Sequence, residues 1–254
     1  MIINTQTVKK TSGGNNNYSV LGGILDDNEM IYPSTKTPEG TVFVPSDNPE
    51  DYTKVDWIEA TGTQYIETNT VLNSTDKIEA EASFANTTEN LAVFCGRAFT
   101  PSQSNQMTIF NIGSNGIRAD YNAITQFVSF NPTVDTFYKF VMDANKIYID
   151  DVLKHTFSSA SFTTINPAYL MASISTDLSA QNLLKGKYKY WKRWNNLGSM
   201  TASFYACYHT DTGILGMFDA VNNKFHVNAG TGNFTKPSDT SGEINLAEYL
   251  ASLS

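Results

Sequence analysis

The chain has 254 residues, with 17 Lys and Arg against 25 Asp and Glu, for a formal net charge of −8. Its basic residues are scattered, so there is no electrostatic footprint for a phosphate backbone, and nucleic acid is excluded as a partner class. No apolar run approaches the ~18–20 residues of a membrane helix, and MIINTQTVKK has neither the apolar stretch nor the small-residue site of a secretory signal. The expectation is a protein with no membrane insertion and no signal-directed export.

Tyr, Phe, Thr, Ser and Asn dominate over Leu, Glu, Lys and Arg, a vocabulary of strands and turns, so all-β is the expected class. Residues 1–52 carry glycines, an Asn run, scattered prolines and only short apolar stretches, too little for a private core. They are expected to form an extended segment organised by neighbours. From Val55 onward the polarity alternates. In KIEAEASF (77–84), Ile78, Ala80, Ala82 and Phe84 share one face, with Glu79, Glu81 and Ser83 on the other. Strands follow at 92–97, 107–112, 116–122, 126–130 and 137–143. KIYIDDVLKHTF (146–157) reads as a hairpin pivoting on Asp150-Asp151. Further strands are expected at 168–174, 185–194 and 203–209, and roughly ten-residue spacing between turn signals suits a sandwich or jelly roll. A second hairpin is expected where Met217, Phe218 and Val221 run into a type I′ turn at Asn222-Asn223 and Phe225 and Val227 return. Gly230 and Gly232 then permit the bend that closes the sheet edge. In GEINLAEYLASLS (242–254), Ile244, Leu246, Leu250 and Leu253 fall at partial helical spacing, which gives a C-terminal tail (238–254) with a short amphipathic helix.

Chemistry is sparse. Glu79 and Glu81 share a strand face, as glycosidase carboxylates do, but the position three residues after Glu81 is Phe84, where a retaining glucanase of this architecture has a third acid. His155, His209 and His226 lie near no nucleophile elbow, and two histidines in one terminal region make a weak metal signal. Cys95 and Cys207 sit in apolar, aromatic segments and read as buried thiols rather than a disulfide framework. Asp143, Asp150 and Asp151 are oxygen donors in principle, yet Asp150-Asp151 already serves a turn, so neither a metal nor a cofactor is expected. Binding is the better expectation than turnover. Sugars are held by an aromatic face beside planar hydrogen-bonding groups. Arg118, Asp120 and Tyr121 offer such a mixture, as do Trp191, Trp194, Asn195 and Asn196. Strict alternation in KYKYWKRWNN places Tyr188, Tyr190, Lys192 and Trp194 on one face and Lys187, Lys189, Trp191 and Arg193 on the other. The sugar-binding candidates are therefore Arg118, Asp120, Tyr121, Trp194 and Asn195.

GILGMFDAVNNKFHVNAGTGNFT (213–235) resembles the closing signature of concanavalin A-like, laminin G-type jelly rolls of phage and prophage structural proteins, and VDWIEATGTQYIETN (55–69) resembles their opening strands. FCGR (94–97), NGIRADY (115–121), the KIYID hairpin and KYKYWKRWNN (187–196) fall between them in the family's order; Cys95, Trp191 and the FYACYH strand depart from its pattern. The resemblance covers about 53–236 and implies a two-sheet antiparallel jelly-roll sandwich over 53–237. YSVLGGILDDN is similar to the Leu-Gly-Gly segments of trimeric phage fibre stalks, which makes 1–52 a virion-anchoring and oligomerisation segment. The implied protein is a fibre or decoration component: a homotrimer made in the host cytoplasm, displayed on the virion beside other virion proteins, and attached to bacterial surface glycans. A purely structural virion component and a polysaccharide-cleaving enzyme are the alternatives.

Overall fold

The computed structural model describes residues 6–10, 18–22, 44–97, 105–113, 116–174 and 179–253. Two units separate, Met1–Pro45 and Ser46–Ser254. In the first, strands β1 (Gln6–Lys10) and β2 (Tyr18–Gly22) pair antiparallel, with Val8 opposite Val20. Apart from this hairpin and residues 44–52, the expected anchoring segment lies outside the described residues.

The second unit has its first strand after a 3-10 turn at Pro49–Asp51, beginning at Tyr52, whose ring is fully buried. Its elements are β3 (Tyr52–Lys54), β4 (Ile58–Thr61), β5 (Ile66–Glu67), β6 (Lys77–Ala82), β7 (Asn90–Arg97), β8 (Gln106–Ile112), β9 (Ile117–Tyr121), β10 (Ile124–Val128), β11 (Tyr138–Asp143), β12 (Lys146–Ile149), β13 (Val152–Thr156), β14 (Tyr169–Leu170), β15 (Ser173–Ile174), β16 (Ala180–Gln181), β17 (Lys185–Trp194), β18 (Met200–His209), β19 (Leu215–Asp219), β20 (Lys224–Val227), β21 (Ile244–Asn245) and helix α1 (Leu246–Ala251). Among the described residues they build two large antiparallel sheets, with β15 and β16 as a separate pair. One runs β10-β9-β8-β7-β14-β5; the other runs β13-β12-β11-β6-β17-β18-β19-β20, with β3, β4 and β21 joined at its side.

Their inner faces form one apolar layer. Phe94, Met107, Ile109, Ile117, Ala119 and Tyr121 from the six-stranded sheet meet Ile78, Ala80, Phe140, Met142, Trp191 and Phe204 from the larger one. Burying each large side chain contributes about 1.5–3 kcal/mol relative to exposure. The alternation read in β6 holds: Ile78, Ala80 and Ala82 are buried, and Lys77, Glu79 and Glu81 sit half-buried on the far face. The protein is thus an all-β, two-sheet antiparallel sandwich.

Three local expectations are corrected. In β17 both Tyr188 and Trp191 point into the core, although strict alternation sets them on opposite faces. The cause is a bulge: Tyr188 faces Ala82 and Tyr190 faces Glu81, so Lys189 is an extra residue that shifts the phase. The turn after β19 is a four-residue loop rather than a two-residue one, since Asp219 pairs with Lys224 and only Asn223 in the loop has positive φ, at 50°. The Asp219 carboxylate holds it, accepting from the Val221 and Ser203 backbone N–H groups and from Asn222 Nδ2. Val221 is consequently exposed instead of ending the strand. The segment 168–174 breaks into β14 and β15 at Met171, whose φ is 64°, because β15 leaves the sheet to pair with β16.

The Asp150-Asp151 hairpin keeps its expected form. Ile149 pairs with Val152, and both turn residues have positive φ, 49° and 63°. At the C-terminus β21 pairs with β3, so the tail is stitched to the start of the sandwich. The Asn245 side chain caps α1 by accepting from the Ala247 and Glu248 N–H groups. Of the four apolar tail residues only Leu246 is buried, with Ile244 and Leu253 exposed.

Candidate functional site

On its outer face, opposite the core, the larger sheet carries an aromatic groove of about 430 Å³ lined by Lys54, Asp56, Trp57, Phe137, Lys189, Tyr190, Tyr205 and Tyr249. Each wall has a local cause. Tyr205 faces outward because its neighbours on β18, Phe204 and Ala206, are in the core. The bulge at Lys189 turns Tyr190 outward beside it, at the register position facing Tyr205. The capped turn of α1 brings Tyr249 edge-on to Tyr205, with centroids 5.3 Å apart. Ammonium groups lie over the rings: Lys54 over Tyr249 at 4.7 Å, Lys187 over Trp57 at 5.2 Å, Lys189 over Phe137 at 4.2 Å, and Lys192 over Tyr190 at 4.8 Å.

Hydrogen-bonding groups sit between the rings. Tyr190 donates to Glu79 Oε1 at 2.9 Å, and Lys189 donates to Glu81 Oε1 at 2.5 Å. Burial, then the Glu79 charge, pushes the Tyr190 hydroxyl far above its ordinary pKa, which keeps it a proton donor. Burial likewise raises Tyr249 and lowers the Lys54 ammonium. Glu79 and Glu81 are therefore both engaged with this platform. The groove can stack a flat, partly apolar ring and hydrogen-bond its edges.

A second, smaller depression of about 150 Å³ lies on the outer face of the six-stranded sheet, with Arg118, Asp120, Thr108, Gln106 and Ser173 in its lining. Arg118 Nε donates to Asp120 Oδ1 at 2.8 Å, Thr108 Oγ1 to Oδ2 at 2.7 Å, and Thr125 Oγ1 to Oδ1 at 2.6 Å. Three donors already occupy this carboxylate, which is 1% exposed. The arrangement fixes β8, β9 and β10 to one another.

The five sequence-derived candidates do not converge. Arg118 and Asp120 share this depression, but Tyr121 points the other way into the core, where its hydroxyl donates to the Ser74 and Ala160 carbonyls at 3.0 and 3.2 Å. Alternation along β9 is the reason: a residue next to Asp120 must face the opposite side. Trp194 and Asn195 belong to the other sheet. Lys77 lies 4.9 Å from the Trp194 ring, while Asn195 Oδ1 accepts from the Leu197 and Ser199 N–H groups in the turn to β18. Trp191 is wholly buried against Phe204.

The remaining polar candidates have other surroundings. His226 is 2% exposed, with Nδ1 3.0 Å from the Glu67 carbonyl, and burial pushes its pKa down to about 4. His209 packs edge-on to Tyr52 and His155 to Phe157. Cys95 and Cys207 are buried and form no disulfide; burial drives the Cys207 thiol far above its usual pKa. Asp150 accepts from the Lys139 N–H and Asp151 pairs with the Lys139 side chain. Among the described residues no group of three or more His, Cys, Asp or Glu is placed to hold a metal ion.

Sequence reading missed Trp57, Phe137, Tyr205 and Tyr249 because the groove draws single residues from five separate segments. The available signal was the surplus of aromatics at positions flanking strands, as in VDWIEA.

The sequence matches no protein-family model, and it matches no curated protein. Among solved structures the chain is similar to one from Bacteroides ovatus ATCC 8483, described as a "putative carbohydrate binding protein", with 11% identity and a TM-score of 0.49 over 73% of this chain. The match spans 61% of that protein's chain. So distant a likeness carries no argument about ligand, and the sandwich stands on the strand pairing described above.

Proposed function

We propose that this chain is a glycan-binding β-sandwich whose binding surface is the aromatic groove of the larger sheet. The observation that carries the reading is the convergence of Trp57, Phe137, Tyr190, Tyr205 and Tyr249 around about 430 Å³, inside the ~300–1,000 Å³ of ordinary ligand sites. The partly exposed rings of Trp57, Phe137, Tyr190 and Tyr249, with Lys189 and Asp56 among them, suit the apolar face and hydroxyl rim of a sugar. The finer reading is a phage fibre or decoration protein, supported by the resemblance of residues 55–69 and 213–235 to that family. In it, residues 1–52 anchor among other virion proteins, the protein is a homotrimer, and many weak sites on one particle sum to firm attachment to bacterial surface glycans.

Glycan-array screening of the full chain tests the reading. It predicts binding of at least one glycan class and a loss of about tenfold or more in affinity for Trp57→Ala at unchanged melting temperature, about 1.4 kcal/mol for the loss of one stacking ring. Silence across a broad array would instead favour a structural component with no host ligand. Shortening of a bound polysaccharide, abolished by Glu79→Gln or Glu81→Gln, would favour the enzyme.

A further inference from the structure

We infer that the groove selects acidic glycans, the anionic group of the sugar seating beside the Tyr205–Tyr249 pair between the ammonium groups of Lys54 and Lys192. This deepens the glycan-binding reading and rests on it.

The cations of this face divide into two kinds. Those of β17 are mostly neutralised in place: Lys185 pairs with Glu89 at 2.7 Å, Lys187 with Asp135 at 3.1 Å and Lys189 with Glu81 at 2.5 Å. Lys54 and Lys192 make no ion pair among the described residues. Instead each is held against the same tyrosine pair, Lys54 at 4.7 Å from the Tyr249 centroid and Lys192 at 5.5 Å from that of Tyr205. Acids are near both. Glu79 stands across the strand from Lys192, but the Tyr190 hydroxyl donates to it, and Asp56 beside Lys54 is exposed.

This is unusual placement in a chain of net charge −8, where carboxylates outnumber cations and counter-ions are plentiful. Lys54 is half-buried, and burial lowers its ammonium pKa against the opposing pull of Asp56; its Nζ donates to the Val55 carbonyl at 3.4 Å and makes no ion pair among the described residues, so a carboxylate or sulfate arriving from the ligand adds opposite charge at close range beyond that of exposed Asp56. The aromatic walls fix a sugar ring by stacking, and the two ammonium groups then read the ring's substituent. Both neutral and acidic sugars fit the stacking surface, so charge is what separates them.

The test is a titration of the full chain against an array of paired glycans that differ only in charge: uronic acids and their methyl esters, sulfated sugars and their unsulfated forms, sialylated glycans and their desialylated forms. Wild type, Lys54→Met, Lys192→Gln and Trp57→Ala are compared at low and high salt, with melting temperature as the control for folding. The expected result is preference for the acidic member of a pair, weakened by salt, and a loss of about tenfold in that preference for either lysine variant, the acidic member losing more affinity than the neutral one. Equal binding of both members, hits confined to neutral glycans, or lysine variants that weaken both members alike would overturn the acidic selectivity while leaving the glycan reading in place. Silence of the whole array would instead overturn the glycan reading itself, and binding unaffected by Trp57→Ala would overturn its placement in the groove and the selectivity with it.

Discussion

His226 shows how one side chain ties the fold to pH. Burial against Phe204, opposed by the Glu67 carbonyl and the Asp219 charge and reinforced by Lys224, holds its pKa near 4 against 6.5 when unfolded. The unfolded chain therefore binds the proton more readily, so stability from this residue is fully present above pH 6.5 and lost as pH falls towards 4. The loss amounts to about 3 kcal/mol. Chemical denaturation at pH 7 and pH 4.5 should show that fall, and His226→Phe should remove much of its slope; an identical slope in the variant would mean other groups set the acid limit. The imidazole was visible in the sequence as one of three histidines. What distinguished it from His155 and His209 was its depth in the structure, and the alternating pattern of β20 did not disclose that.

At the scale of elements, the strands were legible where alternation is local and the turn is short. The Asp150-Asp151 hairpin is the best case, because its register follows from two arms and two residues able to adopt positive φ. β17 is the opposite case. Its ten residues were correctly bounded, but a single bulge at Lys189 reversed the faces of everything after it and brought both Tyr188 and Trp191 into the core. Nothing in KYKYWKRW marks the bulge, since it is imposed by β4 and β6 meeting β17 at different places. Gly186 lies at that crowded meeting. Its φ is 153°, and a Cβ there would come within 2.1 Å of the Ser83 carbonyl oxygen. Gly186→Ala must therefore shift a strand, and thermal or denaturant unfolding should show a cost of about 2 kcal/mol or more. A cost under about 0.5 kcal/mol would show that β6 yields easily there. The Arg193–Asp76 pair, 13% and 1% exposed, anchors the same strand farther along, to the turn that precedes β6.

Across the whole molecule, composition and period were enough for the class of fold, and the inner faces of both sheets came from the same alternating positions that define the strands. The site was not legible in that way. Tyr121 looked like a ligand-facing aromatic in one dimension and is a core residue in three. Trp57 and Tyr249, nearly two hundred positions apart in the chain, become walls of one groove only because β21 pairs with β3 and carries α1 back over the start of the sandwich. Function in such a scaffold depends on what the outer faces present, and the larger sheet presents rings and ammonium groups where the smaller presents a carboxylate already saturated by Arg118, Thr108 and Thr125.

The most direct test of this account is a crystal structure of the full chain with an oligosaccharide it binds. The expected result is a sugar ring stacked on Trp57, Tyr190 or Tyr249 of the groove, within hydrogen-bonding reach of Lys189 or Glu81. A sugar seated in the Arg118–Asp120 depression, or anywhere else with the groove empty, would contradict it.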